Sequence, residues 1–190
     1  MTVTESVFIT SLQNGDQQAF SRLIQLNQDR VFNTVLGFVK NADEANDLCQ
    51  EVFIQVFRSI GSFKGEAGLS TWIYRIAVNK ALEHIRKQKK KRQTRWQLFS
   101  SGSENMVEKV PDPVHPGLIL EDQERSKQLF KAIDRLAERQ KTALILYQFE
   151  DLSYKEIAQV MELSLASVES LIHRARRNLK KHLTDYYEKY

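Results

Sequence analysis

The chain has 190 residues, 42% hydrophobic, 9% aromatic and 27% charged, with a formal net charge of +4. That length admits one ordinary domain or two small ones, and the apolar fraction excludes a wholly disordered chain. The single cysteine, Cys49, excludes an internal disulfide framework and a cysteine-rich zinc site, and reads as a small buried residue.

The first four helices are expected at about 4–13, 16–40, 42–60 and 71–92. The third is the clearest. Asn41 can cap it, with Glu44 three residues on as a capping-box partner. Ala45, Leu48, Cys49, Val52, Phe53, Val56, Phe57 and Ile60 recur at i, i+3, i+4 spacing and form a core stripe. The opposite face carries Asp47, Gln50, Glu51 and Ile54, either a docking surface or plain solvent. The fourth helix follows a loop, Gly61–Leu69, with Ser70 or Thr71 as its cap. Trp72, Arg75, Asn79, Glu83 and Arg86 share one face at 100° per residue, and Ile73, Ala77, Val78, Ala81, Leu82 and Ile85 the other. A tryptophan beside arginines can stack unpaired bases, at roughly 1–3 kcal/mol per base. The alternative is that Trp72 packs on the loop while Arg75 makes a surface ion pair.

Charge then switches sign along the chain. Residues 83–95 hold seven Lys or Arg against one acidic residue, centred on Arg86-Lys-Gln-Lys-Lys-Lys-Arg92, whereas residues 96–122 hold one basic residue against five acidic. Opposed blocks suit a nucleic-acid contact beside a segment kept off it, although a helix C-terminus also welcomes cations. All three prolines, Pro111, Pro113 and Pro116, fall in six residues just before Gly117. Residues 96–117 therefore read as an acidic, flexible linker. With no strand-type alternation on either side, the fold class is all-α, two small helical domains joined by that linker.

Beyond it, helices are expected at about 118–136, 138–150, 153–161 and 165–185. Ser153-Tyr-Lys-Glu156 is a capping box. From there the pattern is a helix-turn-helix: Ile157, Met161, Leu163, Val168 and Leu171 bury between crossing helices, and Glu162-Leu-Ser164 makes the turn, with Glu162 where glycine is common. The last helix places Leu165, Val168, Leu171, Ile172, Ala175, Leu179 and Leu183 inward, and Ser167, Glu169, Ser170, His173, Arg174, Arg176 and Arg177 outward. Short polar side chains near the start suit base edges, and cations further along suit phosphates. The four histidines are scattered, and no phosphate loop, metal-spaced set or nucleophile with a base is found. No catalytic residue, metal or cofactor is expected. Met1-Thr-Val-Thr-Glu-Ser6 lacks a signal-peptide pattern, and the longest apolar run, Ala143–Tyr147, is far short of the ~20 residues of a membrane span, so a cytoplasmic protein is expected.

Taken together, Gly15-Asp-Gln-Gln-Ala-Phe20, Asp47-Leu-Cys-Gln-Glu-Val-Phe53, Phe63-Lys-Gly-Glu66 with Thr71-Trp-Ile-Tyr-Arg-Ile-Ala-Val-Asn79, and Leu152-Ser-Tyr-Lys-Glu-Ile-Ala158 with Ser167-Val-Glu-Ser170 and Arg174-Ala-Arg176 resemble bacterial RNA polymerase sigma factors of the extracytoplasmic-function (ECF) group. The resemblance spans nearly the whole chain. It implies a sigma region 2 domain over 1–95, a linker over 96–117 and a sigma region 4 domain over 118–190. Asp47, Gln50, Glu51 and Ile54 would then dock on the clamp coiled coil of the polymerase β′ subunit. Phe63, Lys64, Trp72, Arg75 and Asn79 would capture a flipped minus-ten base, and Lys80, Arg86 and Lys87 would steer the DNA backbone. Ser167, Glu169, Ser170, His173, Arg174 and Arg177 would read the minus-thirty-five element, the same domain sitting on the β flap. The resemblance also implies an anti-sigma factor as partner. Two residues depart from the family pattern: Glu169 stands where Lys or Arg is frequent, and a carboxylate favours a cytosine amino group; Leu171 replaces a frequent Arg but lies in the core stripe. The rivals are a self-sufficient helix-turn-helix regulator and a recombinase-like enzyme, whose arginines, Arg22, Arg30, Arg58 and Arg75, would have to cluster.

Overall fold

The computed structural model describes residues 3–99 and 123–187, and among these every regular element is helical. Eight α-helices run in chain order: α1 Val3–Gln13, α2 Gln17–Val39, α3 Ala42–Ser59, α4 Leu69–Phe99, α5 Gln123–Asp134, α6 Glu138–Phe149, α7 Tyr154–Met161 and α8 Leu165–Tyr187. A single 3-10 turn, Ile60–Ser62, follows α3.

The chain turns from α1 into α2 at Gly15, whose φ of 79° is a conformation that glycine adopts without Cβ strain. Asp16 then caps α2, its carboxylate accepting from the backbone N–H of Gln18 at 2.8 Å and of Ala19 at 3.2 Å. Asn41 caps α3 as expected, accepting from Glu44 N–H at 3.0 Å. The Glu44 carboxylate, however, lies within 3.0 Å of both His84 Nε2 and Gln88 Nε2, so it ties α3 to α4. Leu23, Val31, Val35 and Leu36 of α2, Ala45, Leu48, Val52, Phe53 and Val56 of α3, and Ile73 and Ala77 of α4 fill the core of the first domain. Ile9 and Leu12 of α1 close it from one side. Phe57, placed in the core stripe by its spacing, is instead 53% exposed, its ring edge-on to Phe20 at 5.1 Å. It sits at the margin of the stripe, where the α2 surface falls away.

Helix α4 is longer than its periodicity predicts. It begins at Leu69, before either expected cap, and runs on to Phe99, so 96–99 close the helix. The polar stretch after Ile85 has no apolar stripe to reveal it as helical, but Lys, Arg and Gln are good helix formers. The rest of the linker, from 100 to 117, and residues 118–122 of the fifth expected helix lie outside the described residues.

In the second domain the Ser153–Glu156 capping box forms in full: Ser153 N–H donates to Glu156 Oε2 at 2.8 Å, and Glu156 N–H donates to Ser153 Oγ at 3.3 Å. Phe130, Ile133 and Leu136 pack with Leu144 and Ala175, while Ile145, Leu146, Ile157, Val160, Val168 and Ile172 pack with Leu152. Leu165, expected in the buried stripe of α8, is 40% exposed, because it lies at the first residue of the helix beyond the reach of α7.

The two domains share a core. Phe38 of α2 and Tyr74, Val78 and Ala81 of α4 belong to the same buried cluster as Ile145, Leu146, Ile157 and Val168, with α2 packed on α6 and α4 on α7. The helix α4 thus has two apolar sides, one to each domain.

Candidate nucleic-acid interface

The helix-turn-helix is built by α7 and α8. Glu162 ends α7 in the left-handed region, φ 54° and ψ 47°, and its N–H bonds back to the Ala158 carbonyl. Ser164 opens α8, its Oγ accepting from Ser167 N–H at 3.3 Å and lying 2.8 Å from Ser167 Oγ. Val168, Ile172 and Ala175 are buried beneath. That fixes the opposite face outward. Ser170, His173, Arg174 and Arg177 are exposed at i, i+3, i+4 and i+7, with Glu169 exposed beside them and Ser167 half-buried at the start. The Arg174 Nε–H donates to the Ser170 carbonyl at 3.1 Å. Arg176 turns away and stacks on Tyr147, 4.9 Å from the ring centre. The six residues expected to read DNA therefore lie on one continuous surface of α8.

The α4 face is less open. Asn79 and Lys64 are exposed, but Phe63 is 8% exposed and its ring lies 5.2 Å from that of half-buried Trp72. The loop carrying Phe63 is pinned from behind, Gln13 Nε2 donating to the Phe63 carbonyl at 3.1 Å. Arg75 is turned to the second domain: one guanidinium nitrogen lies 2.6 Å from Glu162 Oε1 and the other donates to the Gln159 carbonyl at 2.7 Å. The packing alternative for Trp72 and Arg75 thus describes both side chains in this arrangement. Arg86 Nε donates to Glu138 Oε2 at 3.2 Å, again across the domains. Lys87 pairs with Glu83 at 2.7 Å on the helix surface, and that pairing lowers the Glu83 carboxyl and raises the Lys87 ammonium from their ordinary values.

On α3, Asp47, Gln50, Glu51 and Ile54 are all exposed, and their i, i+3, i+4, i+7 spacing makes one stripe. Ile54 is 49% exposed. Lys80 Nζ reaches Glu51 Oε2 at 3.4 Å, so this stripe adjoins the α4 face. Arg22 and Arg58 remain exposed, and among the described residues no cluster of His, Cys, Asp and Glu suited to a metal ion occurs.

Sequence reasoning missed the residues that join the domains. Lys40 forms an ion pair with Asp134, donates to the Phe130 carbonyl at 3.3 Å and lies 5.1 Å over the Phe130 ring. Burial lowers the Lys40 ammonium. Burial alone would raise the Asp134 carboxyl, but hydrogen bonds from Lys141 and Lys40 outweigh it and hold it below the ordinary value. A lysine rather than a glycine at the end of α2, and a glutamate at the turn, were the available signals.

Comparison with known proteins accounts for this arrangement. A family model for sigma-70 region 2 matches residues 23–91, and one for sigma-70 region 4 matches residues 126–179. The RNA polymerase sigma-H factor of Pseudomonas aeruginosa is 34% identical over 179 residues, covering 92% of this chain and 91% of that one. The ECF RNA polymerase sigma factor SigW of Bacillus subtilis is 30% identical over 178 residues, covering 93% and 95%. The ECF RNA polymerase sigma-E factor of Escherichia coli is 32% identical over 180 residues, covering 92% and 91%. Among solved structures, CnrH in complex with the cytosolic domain of CnrY matches with a TM-score of 0.67 at 17% identity, covering 95% of this chain and 97% of that one. The sigma factor RpoE in complex with the anti-sigma factor NepR, from Bartonella quintana, matches at 0.60 and 22%, covering 87% and 96%. These two likenesses are of fold; the sequence relatives carry the family. The chain belongs to the sigma-70 family of RNA polymerase sigma factors, in its extracytoplasmic-function group.

Proposed function

We propose that this protein acts in the cytoplasm as a sigma factor, binding core RNA polymerase, recognising minus-ten and minus-thirty-five promoter elements and starting transcription without chemistry of its own. The observation that carries the reading is the exposed face of α8, where Ser167, Glu169, Ser170, His173, Arg174 and Arg177 surround one groove-sized surface held by the helix-turn-helix. Glu169 and the serines suit base edges, and Arg174 and Arg177 suit phosphates. Over residues 1–95, the α3 stripe of Asp47, Gln50, Glu51 and Ile54 is the proposed contact to the β′ clamp coiled coil. An apolar centre ringed by polar groups is the composition of a docking patch. Asn79 and Lys64 offer the open minus-ten contacts, with Phe63, Trp72, Arg75, Lys80, Arg86 and Lys87 around them. The domain over 118–190 would rest on the β flap, and 96–117 would connect the two. An anti-sigma factor is the proposed regulatory partner, in keeping with the complex solved for RpoE. No helix among the described residues is long and apolar enough to cross a membrane.

Gel filtration of the full chain with bacterial core polymerase tests the reading. The wild type should co-elute, and Glu51→Lys, which reverses charge in the middle of the α3 stripe, should weaken co-elution at least about tenfold, the effect of ~1.4 kcal/mol. A wild type that fails to co-elute would pass the lead to a self-sufficient regulator.

A further inference from the structure

The segment between α3 and α4 is held at its two ends and open between them. Phe63 and Leu69 are buried in the core of the first domain, with Ile60 and Ile73. The five residues from Lys64 to Gly68 span the gap, and none of them is buried. Gly65 takes a φ of 73°, a conformation that a side chain would strain. The far end is tied to α4 by the Trp72 N–H, which donates to the Gly68 carbonyl at 3.0 Å. The near end is tied from a distant part of the chain. Gln13, the last residue of α1, sends its side-chain amide to two main-chain carbonyls, Phe63 O at 3.1 Å and Ile60 O at 3.4 Å. An amide nitrogen carries two N–H donors, one for each carbonyl. The Ile60 carbonyl also accepts from the Phe63 N–H at 3.0 Å, so Gln13 braces the 3-10 turn that this bond closes.

Gln13 is aimed there by its neighbours. Ile9 and Leu12 of α1 are buried in the same core as Ile60 and Phe63, and the chain then reverses at Gly15 into α2. That seats the end of α1 on the 3-10 turn. Carbonyls of a chain leaving a helix need partners, and at the surface water could serve them at similar cost. A side-chain donor adds what water does not, a fixed position for the backbone it holds.

We propose that Gln13 is a positioning residue for the capture of a minus-ten base: by holding the Ile60 and Phe63 carbonyls, it sets the loop of Phe63 and Lys64 before DNA arrives. The proposal rests on the sigma-factor reading of that loop. Gln13 touches no base in it. Its effect runs through the Phe63 backbone, which fixes the start of the open span and the point from which the Phe63 ring leans on Trp72, 5.2 Å between centres. A loop ordered in advance gives up less freedom when a base lodges against it, so more of the contact appears as affinity. Helix α1, which carries none of the DNA-facing residues, thus enters the minus-ten site through its last side chain.

Strand binding by the holoenzyme of full-length chain and core polymerase tests this. The probe is a fluorescent non-template strand carrying the minus-ten element of a promoter mapped by run-off transcription, with one abasic site moved along it. For the wild type, an abasic site at the captured position should weaken binding at least about fivefold, the lower end of a base–aromatic stack. Gln13→Leu keeps most of the volume and removes both donors. It should weaken binding of the intact strand roughly threefold to tenfold, the range of a hydrogen bond or two, and bind the strand abasic at that position as the wild type does. Gln13→Glu, isosteric but with a carboxylate against two carbonyls, should act in the same direction at least as strongly. Penalties at the other positions, core co-elution and helicity by circular dichroism should match the wild type. A merely structural contact would weaken intact and abasic strands alike, so an unchanged ratio in both variants would overturn the positioning role and leave the minus-ten reading standing. A wild type that co-elutes with core polymerase but shows no sensitive position overturns the minus-ten reading of the loop, and the role of Gln13 with it.

Discussion

Glu162 shows how much one side chain can be asked to do. The left-handed turn between α7 and α8 would be served by glycine, and any other residue costs roughly 1 kcal/mol there. Glutamate accepts that cost and places a carboxylate 2.6 Å from Arg75. A half-exposed ion pair contributes about 0–1 kcal/mol, so the exchange is close to even for stability. What it changes is where Arg75 points. Glu169 poses a matching question on the DNA side. It is exposed near the start of α8, and a carboxylate accepts from the cytosine N4 amino group, whereas a lysine donates to guanine. Glu169→Lys should shift base preference at one minus-thirty-five position from cytosine to guanine by roughly tenfold, within the ~1–3 kcal/mol of a good base contact. Run-off transcription from promoters varied at single minus-thirty-five positions measures it, and an unchanged preference would remove Glu169 from the reading face.

At the scale of elements, α4 is the member on which everything turns. Its Ile73 and Ala77 enter the first core, its Tyr74, Val78 and Ala81 the shared one, and its remaining face carries Asn79 outward. Trp72 leans on Phe63, so its replacement by Ala would both remove a ring for stacking and open a gap behind the loop. Asn79 is the cleaner probe, because it is exposed and buries nothing. Asn79→Ala should leave core binding intact and lower open-complex formation, read by permanganate footprinting, by about tenfold, the value of ~1.4 kcal/mol. Footprints equal to the wild type would take Asn79 out of the minus-ten site.

For the whole molecule, apolar packing and ion pairs both join the domains, and their magnitudes decide which holds. Phe38, Tyr74, Val78 and Ala81 are each at most 4% exposed against the second domain. Fully burying a large apolar side chain stabilises by about 1.5–3 kcal/mol. The cross-domain ion pairs of Lys40 and Arg75 are partly exposed and add up to about 1 kcal/mol each at most, and the Arg86 pair lies open to solvent, where screening weakens it. Salt separates the two contributions, since the Debye length falls from about 10 Å at 0.1 M to about 3 Å at 1 M. Compactness by scattering should survive that change; expansion in high salt would show that the charges, not the shared core, hold the chain together.

Much of this was legible beforehand, and for a physical reason. Helix α3, the Ser153 capping box and the inward stripe of α8 follow from spacings within one helix, where neighbours in sequence are neighbours in space. The outward faces of α3 and α8 followed by subtraction, so the exposure of Asp47, Glu51, Ser170 and Arg174 was foreseen. What escaped depends on contacts far apart along the chain. Lys40 meets Asp134 and Arg75 meets Glu162 across 94 and 87 positions, and no periodicity relates such residues. Val78 and Ala81 read simply as the apolar side of an amphipathic helix, and the chain alone could not say that this side serves two domains. The sequence by itself determined the family, the helices and the faces they present. Only the tertiary structure decided that the domains close on one another and that Arg75 and Arg86 face the seam, because those outcomes depend on which buried surfaces find each other.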